Sequence, residues 1–213
     1  MSSPELIFVA GCNAAGKSTF IRTRLNELSD FQIIMTDVYK SRTRQIFNQA
    51  IKLGKSIVLE TVFNDESFKN MVDQARNAGY DTSLVALFLD SPQQSINRVA
   101  VRGMQQSGIT ISGSNVKLNF NESFKNLATY FLYFDRSVFI YTGVGGENQQ
   151  IMSFHKSVLQ SYNASELQYP QKLALYAHSH DRLDKHGHQI ITANKDYQAK
   201  QQPDESIKRK FTI

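Results

Sequence analysis

Residues 11–18 read Gly11-Cys12-Asn13-Ala14-Ala15-Gly16-Lys17-Ser18, which matches the phosphate-binding loop pattern G-x-x-x-x-G-K-[ST]. The glycines let the backbone wrap a diphosphate so that its N–H groups point inward. The lysine places a positive charge on the β- and γ-phosphates, and the serine hydroxyl can bind Mg²⁺. Residues 11–19, which include Thr19, are therefore predicted to bind a nucleoside triphosphate, with Ser18 on Mg²⁺.

The residues on either side of this loop agree with the motif. Before it runs Leu6-Ile7-Phe8-Val9-Ala10, an apolar stretch of buried-strand length. After it, Phe20, Ile21, Leu25 and Leu28 recur at helical spacing. Strand, loop and helix thus occur in the order that a phosphate-binding loop requires.

Length, cysteine content and charge limit the class of protein. The chain has 213 residues, which suits one α/β domain, and a single cysteine, which excludes an internal disulfide. It contains no apolar run of membrane-spanning length and no secretion signal, so we expect a cytoplasmic protein without membrane contact. The net charge of +5 favours an anionic partner, either a phosphorylated small molecule or a nucleic acid.

Strands and helices alternate along the chain as far as residue 142. This alternation predicts an α/β fold, a three-layer P-loop NTPase with a five-stranded, mostly parallel sheet, helices on both faces and a small lid at about 103–116. Residues 150–160 are expected to form a further strand or hairpin, and residues 167–178 a closing helix. We predict one kinase domain over residues 1–180 and a polar, flexible tail over residues 181–213.

Carboxylates follow several of the predicted strands. Asp37 ends the second strand, Glu60-Thr61 the third and Asp90 the fourth, and such strand ends meet at one edge of a parallel sheet. One carboxylate can accept the proton of an attacking hydroxyl, and another can order the waters around Mg²⁺. Asp37 could also cap the helix after it, and Asp90, which precedes Ser91-Pro92, is expected to cap the next helix.

Arginines precede the predicted lid. Arg98 and Arg102 are four residues apart on one helix, and Lys117 lies on the far side of the lid. Guanidinium groups at the base of a lid can neutralise charge that develops on a transferred phosphoryl group. Arg98 and Arg102 are therefore predicted to act in catalysis with Lys17 and Asp37, although two solvated surface arginines would give the same pattern.

These segments together resemble the zeta-toxin-like P-loop kinases. The similarity runs through residues 9–19, Met35-Thr36-Asp37, residues 56–61 and residues 89–102, and continues weakly over residues 116–127. It implies ATP-dependent phosphorylation of a hydroxyl, in zeta toxins that of a UDP-activated amino sugar. Asp37 would be the general base, and Asp37, Glu60 and Thr61 would bind the substrate. The resemblance also implies a possible protein partner, an antitoxin.

One segment departs from the family pattern. Many relatives carry arginines where this chain reads Val116-Lys117-Leu118-Asn119-Phe120, and lysine cannot bind two phosphate oxygens in the forked manner of arginine.

Other functions stay open. A nucleic-acid-end kinase or a basic nucleic-acid-binding ATPase would also fit the charge, but aromatic residues do not alternate with the basic ones as that function requires. A module that binds ATP without turnover is a further alternative.

Overall fold

The computed structural model describes residues 3–105, 111–143 and 148–200, and eight strands form one sheet in this part of the chain. The strands are β1 (Glu5–Ala10), β2 (Gln32–Met35), β3 (Ile57–Thr61), β4 (Asp81–Phe88), β5 (Arg136–Tyr141), β6 (Gln149–His155), β7 (Val158–Tyr162) and β8 (Tyr197–Gln198). Their spatial order is β2-β3-β1-β4-β5-β6-β7-β8. The first five strands in this order are parallel, and the last three add in antiparallel fashion.

Helices connect many of these strands along the chain and cover the sheet. They are α1 (Lys17–Arg22), α2 (Thr36–Tyr39), α3 (Thr43–Lys52), α4 (Phe68–Asn77), α5 (Pro92–Gln105), α6 (Gly113–Tyr130), α7 (Tyr169–Ser179) and α8 (Lys185–Thr192). α1 ends earlier than the predicted Leu28, and Leu25 beyond its end is 50% exposed. The predicted α/β fold with a mostly parallel sheet is confirmed.

The parallel strands form the core and bring polar groups to one edge. β1 lies between β3 and β4 and is buried from Leu6 to Ala10 because helices cover the sheet. The phosphate loop follows β1 directly. Asp37 and Glu60 lie at the same edge, because β2 and β3 run parallel to β1. The fold thus places the carboxyl ends of these strands beside the loop.

The sheet has eight strands where the sequence predicted five. The expected hairpin over residues 150–160 is present as β6 and β7, but it joins the main sheet through pairing of β6 with β5. Alternation of helix and strand reveals only the parallel part, since an antiparallel hairpin needs no crossover helix. The pairing partner of a hairpin is a long-range choice, which the local pattern does not contain.

The predicted flexible tail also differs from the structure. Within it, α8 is capped by Asp184, whose side chain accepts a hydrogen bond from Gly187 N at 2.8 Å, and β8 pairs with β7. Leu183 and Ile191 are buried at 3% and 0% exposure. A few apolar residues spaced to face the core therefore order a segment whose average composition is polar. Residues 201–213 lie outside the described residues.

α5 and α6 flank the predicted lid. Residues 106–110 of the lid lie outside the described part of the chain, and the described remainder comprises the end of α5, residues 111–112 and the start of α6. The Ser112 hydroxyl caps α6 by accepting from Asn115 N at 3.3 Å. Among the described residues, no helix has both the length and the apolar character that crossing a membrane requires.

Candidate active site at the carboxyl edge of the parallel strands

The phosphate loop packs closely against β4. A Cβ on Gly11 would lie 2.1 Å from the Leu87 carbonyl oxygen, so only glycine fits at this position. Gly16 has a φ of +86°, which glycine adopts without strain. The two glycines of the motif are therefore required here by packing and by backbone conformation.

Lys17 is enclosed by the loop. Its side chain is 7% exposed, and Nζ donates a hydrogen bond to the Cys12 carbonyl at 3.1 Å. Burial lowers the pKa of the Lys17 ammonium, and the negative charge of Glu60 is the strongest opposing influence. Cys12 is itself buried, which raises the pKa of its thiol and agrees with a small packing residue. The loop thus holds a lysine ammonium at the place where β- and γ-phosphates are bound in such loops.

Ser18 and Glu60 meet beside the lysine. The Ser18 hydroxyl donates to Glu60 Oε1 at 3.0 Å, and Glu60 is only 6% exposed. Two oxygen groups at this distance fit the hard oxygen ligands that Mg²⁺ prefers, either directly or through water. Thr61 accepts a hydrogen bond from Phe63 N through its hydroxyl, at 3.0 Å, and this holds the chain as it leaves β3.

Asp37 faces a cavity of about 590 Å³ next to the loop. It is exposed in the first turn of α2, and within the described part of the chain the N-cap residue of this helix, Met35, makes no side-chain capping bond. Asn13 of the loop and Thr61 line the same cavity, as do Lys40 and Arg44. Two carboxylates (Asp37 and Asp65), a residue of the phosphate loop and two cations thus share one open space of a size suited to a small-molecule substrate.

The two predicted lid arginines differ in their surroundings. The Arg98 guanidinium donates to the carbonyl oxygens of Ala14, at 3.3 Å, of Thr142, at 2.6 Å, and of Gly143. Arg98 therefore connects the phosphate loop to the residues that follow β5 through hydrogen bonds. Arg102 is exposed, and its positive charge lies near enough to Lys17 to lower the pKa of that lysine. Of the two, Arg102 is the better placed to contact a bound phosphate, and that contact stays a prediction.

Three asparagines connect α6 to the loop, a contact that was not predicted from the sequence. Asn119 Nδ2 donates to Asn13 Oδ1 at 2.9 Å, and Asn64 Nδ2 donates to Asn119 Oδ1 at 3.1 Å. All three residues line the cavity that Asp37 faces. The Ser95 hydroxyl on α5 adds a further contact, because it donates to the Asn13 carbonyl at 2.7 Å. No sequence motif marks an isolated polar residue within a helix, so the contacts of Asn119 and Ser95 could not be predicted.

Asp90 is a cap, but for a different helix from the one expected. Its Oδ1 accepts from the backbone N–H groups of Gln168 and Tyr169 at 2.8 and 2.7 Å, at the start of α7. The predicted capping of α5 is instead supplied by Ser91, whose hydroxyl accepts from Gln94 N at 3.3 Å. Asp90 thus joins the end of β4 to α7 and takes no part in the cavity.

Comparison with known proteins identifies the family. Residues 39–157, more than half of the chain, match the family described as Zeta toxin. The chain belongs to the zeta toxin family. This match begins after the phosphate loop, so the loop is established by its own residues and by the fold around it. A search of curated protein sequences found no match.

Solved structures share this zeta toxin fold. One comes from the PezAT chromosomal toxin–antitoxin system of Streptococcus pneumoniae, with a TM-score of 0.51 and 16% identity, over 66% of this chain and 69% of that one. Another is the AvrRxo1-ORF1:-ORF2 complex, with a TM-score of 0.56 and 13% identity, over 90% of this chain and 75% of that one. A further AvrRxo1 structure contains ATP and has a TM-score of 0.55. At these sequence identities the structural similarity shows the fold. Membership of the zeta toxin family and the presence of the phosphate loop together identify the chain as a P-loop kinase.

Proposed function

We propose that this P-loop kinase transfers the γ-phosphoryl group of Mg·ATP to a hydroxyl of a UDP-activated amino sugar. The observation that carries the proposal is the shared cavity, in which Asp37 and the phosphate loop residue Asn13 line the same space of about 590 Å³. A base and a phosphoryl donor must both reach the acceptor hydroxyl for transfer to occur.

Asp37 acts as the general base in this proposal. Its carboxylate accepts the proton of the acceptor hydroxyl as the oxygen attacks the γ-phosphorus. A bond forms between that oxygen and phosphorus, the bond from phosphorus to the β,γ-bridging oxygen breaks, and ADP leaves with that oxygen's electron pair. Lys17 neutralises charge on the β- and γ-phosphates during this exchange.

Ser18 and Glu60 would hold Mg²⁺, which supplies charge neutralisation between the β- and γ-phosphates when it is bound. The support is their 3.0 Å hydrogen bond and the burial of Glu60 behind the loop. This position makes Glu60 a better candidate for ordering the metal and its waters than for direct contact with the sugar. Thr61, which lines the cavity, stays a candidate for substrate contact.

Two cations of the cavity could bind an anionic acceptor. Lys40 and Arg44 line it together with the carboxylates of Asp37 and Asp65, and these two cations would attract the diphosphate of a nucleotide sugar. The hydroxyl of Thr43, which also lines the cavity, is buried and has no hydrogen-bond partner among the described residues. A buried hydroxyl without a partner gains a hydrogen bond if a polar substrate reaches it.

We also propose a protein partner that controls the kinase. The support comes from two proteins with this fold. One is part of a toxin–antitoxin system, and the other forms a complex of two proteins, ORF1 and ORF2. An antitoxin would be recognised by a growth defect on expression that a neighbouring gene relieves.

The proposal is tested by incubation with Mg·ATP and a panel of acceptors, namely nucleotide sugars, small hydroxyl metabolites and RNA or DNA ends. Mass spectrometry identifies any phosphorylated product, and Lys17→Ala and Asp37→Ala proteins serve as controls. We expect phosphate on a UDP-activated amino sugar with the unaltered protein only. Phosphate on nucleic-acid ends alone, or transfer that persists with Asp37→Ala, would contradict the proposal.

A further inference from the structure

We propose that Asn119 is a positioning residue, which turns the side-chain amide of Asn13 so that it donates to the transferred phosphoryl group. This inference rests on the proposed phosphoryl transfer at the same site, and it assigns roles to Asn119 on α6 and to Asn13 in the phosphate loop. The decisive observation is a chain of amide hydrogen bonds with a fixed direction.

Each bond in the chain has a defined donor and acceptor. Asn64 Nδ2 donates to Asn119 Oδ1 at 3.1 Å, and Asn119 Nδ2 donates to Asn13 Oδ1 at 2.9 Å. Both lengths are typical of N–H···O bonds between amides. Since the side-chain oxygen Oδ1 of Asn13 accepts from Asn119, the side-chain nitrogen Nδ2 of Asn13 must point away from Asn119.

The amino group of Asn13 is left as a donor. Asn13 Nδ2 makes no hydrogen bond within residues 3–105, 111–143 and 148–200, although its side chain borders the acceptor cavity. Asn13 is also part of the phosphate loop, two residues after Gly11. An amide N–H between the bound phosphates and the acceptor can stabilise the negative charge that grows on the transferred oxygens.

Two cations near the loop, other than Arg102, leave room for such a donor. The guanidinium of Arg98 donates to three backbone carbonyl groups, and Lys117 is exposed on α6. An amide donor carries no net charge, unlike an arginine, and its use needs no desolvation of an ion. The Asn13 amide, oriented through Asn119, therefore supplies a phosphate contact where Arg98 does not.

A substitution can reverse the direction of the chain without breaking it. Asn119→Asp replaces a donor by a group that only accepts, so the Asn13 amide turns over and donates to the new carboxylate. The bond from Asn64 is kept, and the contact between α6 and the loop remains. In this variant the Asn13 N–H donor no longer points at the phosphoryl group. If the contact between Asn119 and Asn13 were purely structural, this reversal would have no effect on phosphoryl binding.

The test measures binding of ADP with aluminium fluoride, which mimics the transferred phosphoryl group, and binding of ADP alone, by calorimetry. We expect Asn119→Asp and Asn13→Ala each to weaken binding of the ADP–aluminium fluoride complex by about 10²-fold to 10³-fold, as loss of one such donor does. ADP binding should stay within about twofold, because ADP lacks the transferred group. The double variant should bind no more weakly than Asn13→Ala, because both changes remove the same donor.

Asn121→Asp is the matched control. It adds the same charge to the same helix at an exposed residue whose side chain makes no hydrogen bond among the described residues, and it should leave both affinities unchanged. The proposal is overturned if aluminium fluoride binding is unaffected in Asn119→Asp, if ADP binding falls equally, or if the double variant is additive. No acceptor is present, so this result is independent of whether a sugar is the substrate.

Discussion

The parallel and antiparallel parts of the sheet have different tasks. Every residue to which we assign a role in phosphoryl transfer lies on β1 to β5 or on the helices and loops between them. The antiparallel part, with β6, β7, β8, α7 and α8, contributes buried contacts, such as Tyr169 stacked on Phe88 at 4.5 Å between ring centroids. Changes to residues with a role in transfer should therefore affect activity more than stability, and changes that disrupt contacts of the antiparallel part should do the reverse.

The largest effect should come from Lys17→Ala. Loss of the ammonium removes the charge that neutralises the β- and γ-phosphates, and we expect transfer to fall by about 10³-fold or more. The rate of ADP formation in the presence of an acceptor measures this. Lys172→Ala is the control on α7, where Lys172 Nζ donates to Gln168 Oε1 at 2.8 Å. Equal losses in the two variants would contradict the division of tasks.

Glu60→Gln should have the next largest effect. The amide oxygen can still accept from Ser18, but the negative charge beside the metal position is lost, so we expect transfer to fall by about 10²-fold. The concentration of Mg²⁺ that gives half-maximal rate should rise as well. A titration with Mg²⁺ measures both, with Glu166→Gln, an exposed residue before α7, as the control. An unchanged Mg²⁺ requirement would remove Glu60 from the metal site.

Asp90→Ala should lower stability and leave the transfer rate nearly unchanged at a temperature where the variant is folded. It removes the acceptor for two backbone N–H groups at the start of α7, a loss of about 1–2 kcal/mol. For a chain of this size each kcal/mol lowers the melting temperature by about 2–4 °C. Asp81→Ala, at an exposed residue, should not change it. A large loss of activity would instead link α7 to catalysis.

The smallest effect should be the pH dependence that His188 confers on stability. Burial lowers the pKa of His188, as does the charge of His178, whose ring is stacked on it with centroids 4.2 Å apart. The unfolded chain therefore binds a proton at higher pH than the folded chain, so the stability present above about pH 6.5 is lost as the pH falls below that value. Urea unfolding should show this loss, and His188→Gln should reduce it. An identical pH profile in both proteins would exclude this cause.

The sequence predicted the parallel part of the fold because its signals are local. The phosphate loop, the strand before it and the carboxylates Asp37 and Glu60 can each be recognised within a few residues, and the rule that parallel strands end at one edge brings them together. The structure places these groups as that rule requires. Their catalytic roles stay predictions until they are tested by substitution.

The remaining features depend on contacts between distant residues. Asp90 was expected to cap the helix that follows it, but it caps α7, 78 residues later in the chain. Asn119 contacts Asn13 across 106 residues, and nothing in its neighbours distinguishes it from other polar helix residues. The ordered part of the predicted tail relies on buried residues such as Ile191 within a polar segment. Local patterns cannot reveal partners that the tertiary fold supplies.

Single-turnover transfer to a UDP-activated amino sugar by Asp37→Asn protein tests the central claim most directly. This change keeps the size of the side chain but removes the base that accepts the hydroxyl proton. We predict that ATP binds as before, while the rate of phosphate appearance on the sugar falls by about 10²–10⁴-fold. A rate equal to that of the unaltered protein would contradict the assignment of Asp37 and of the cavity it faces.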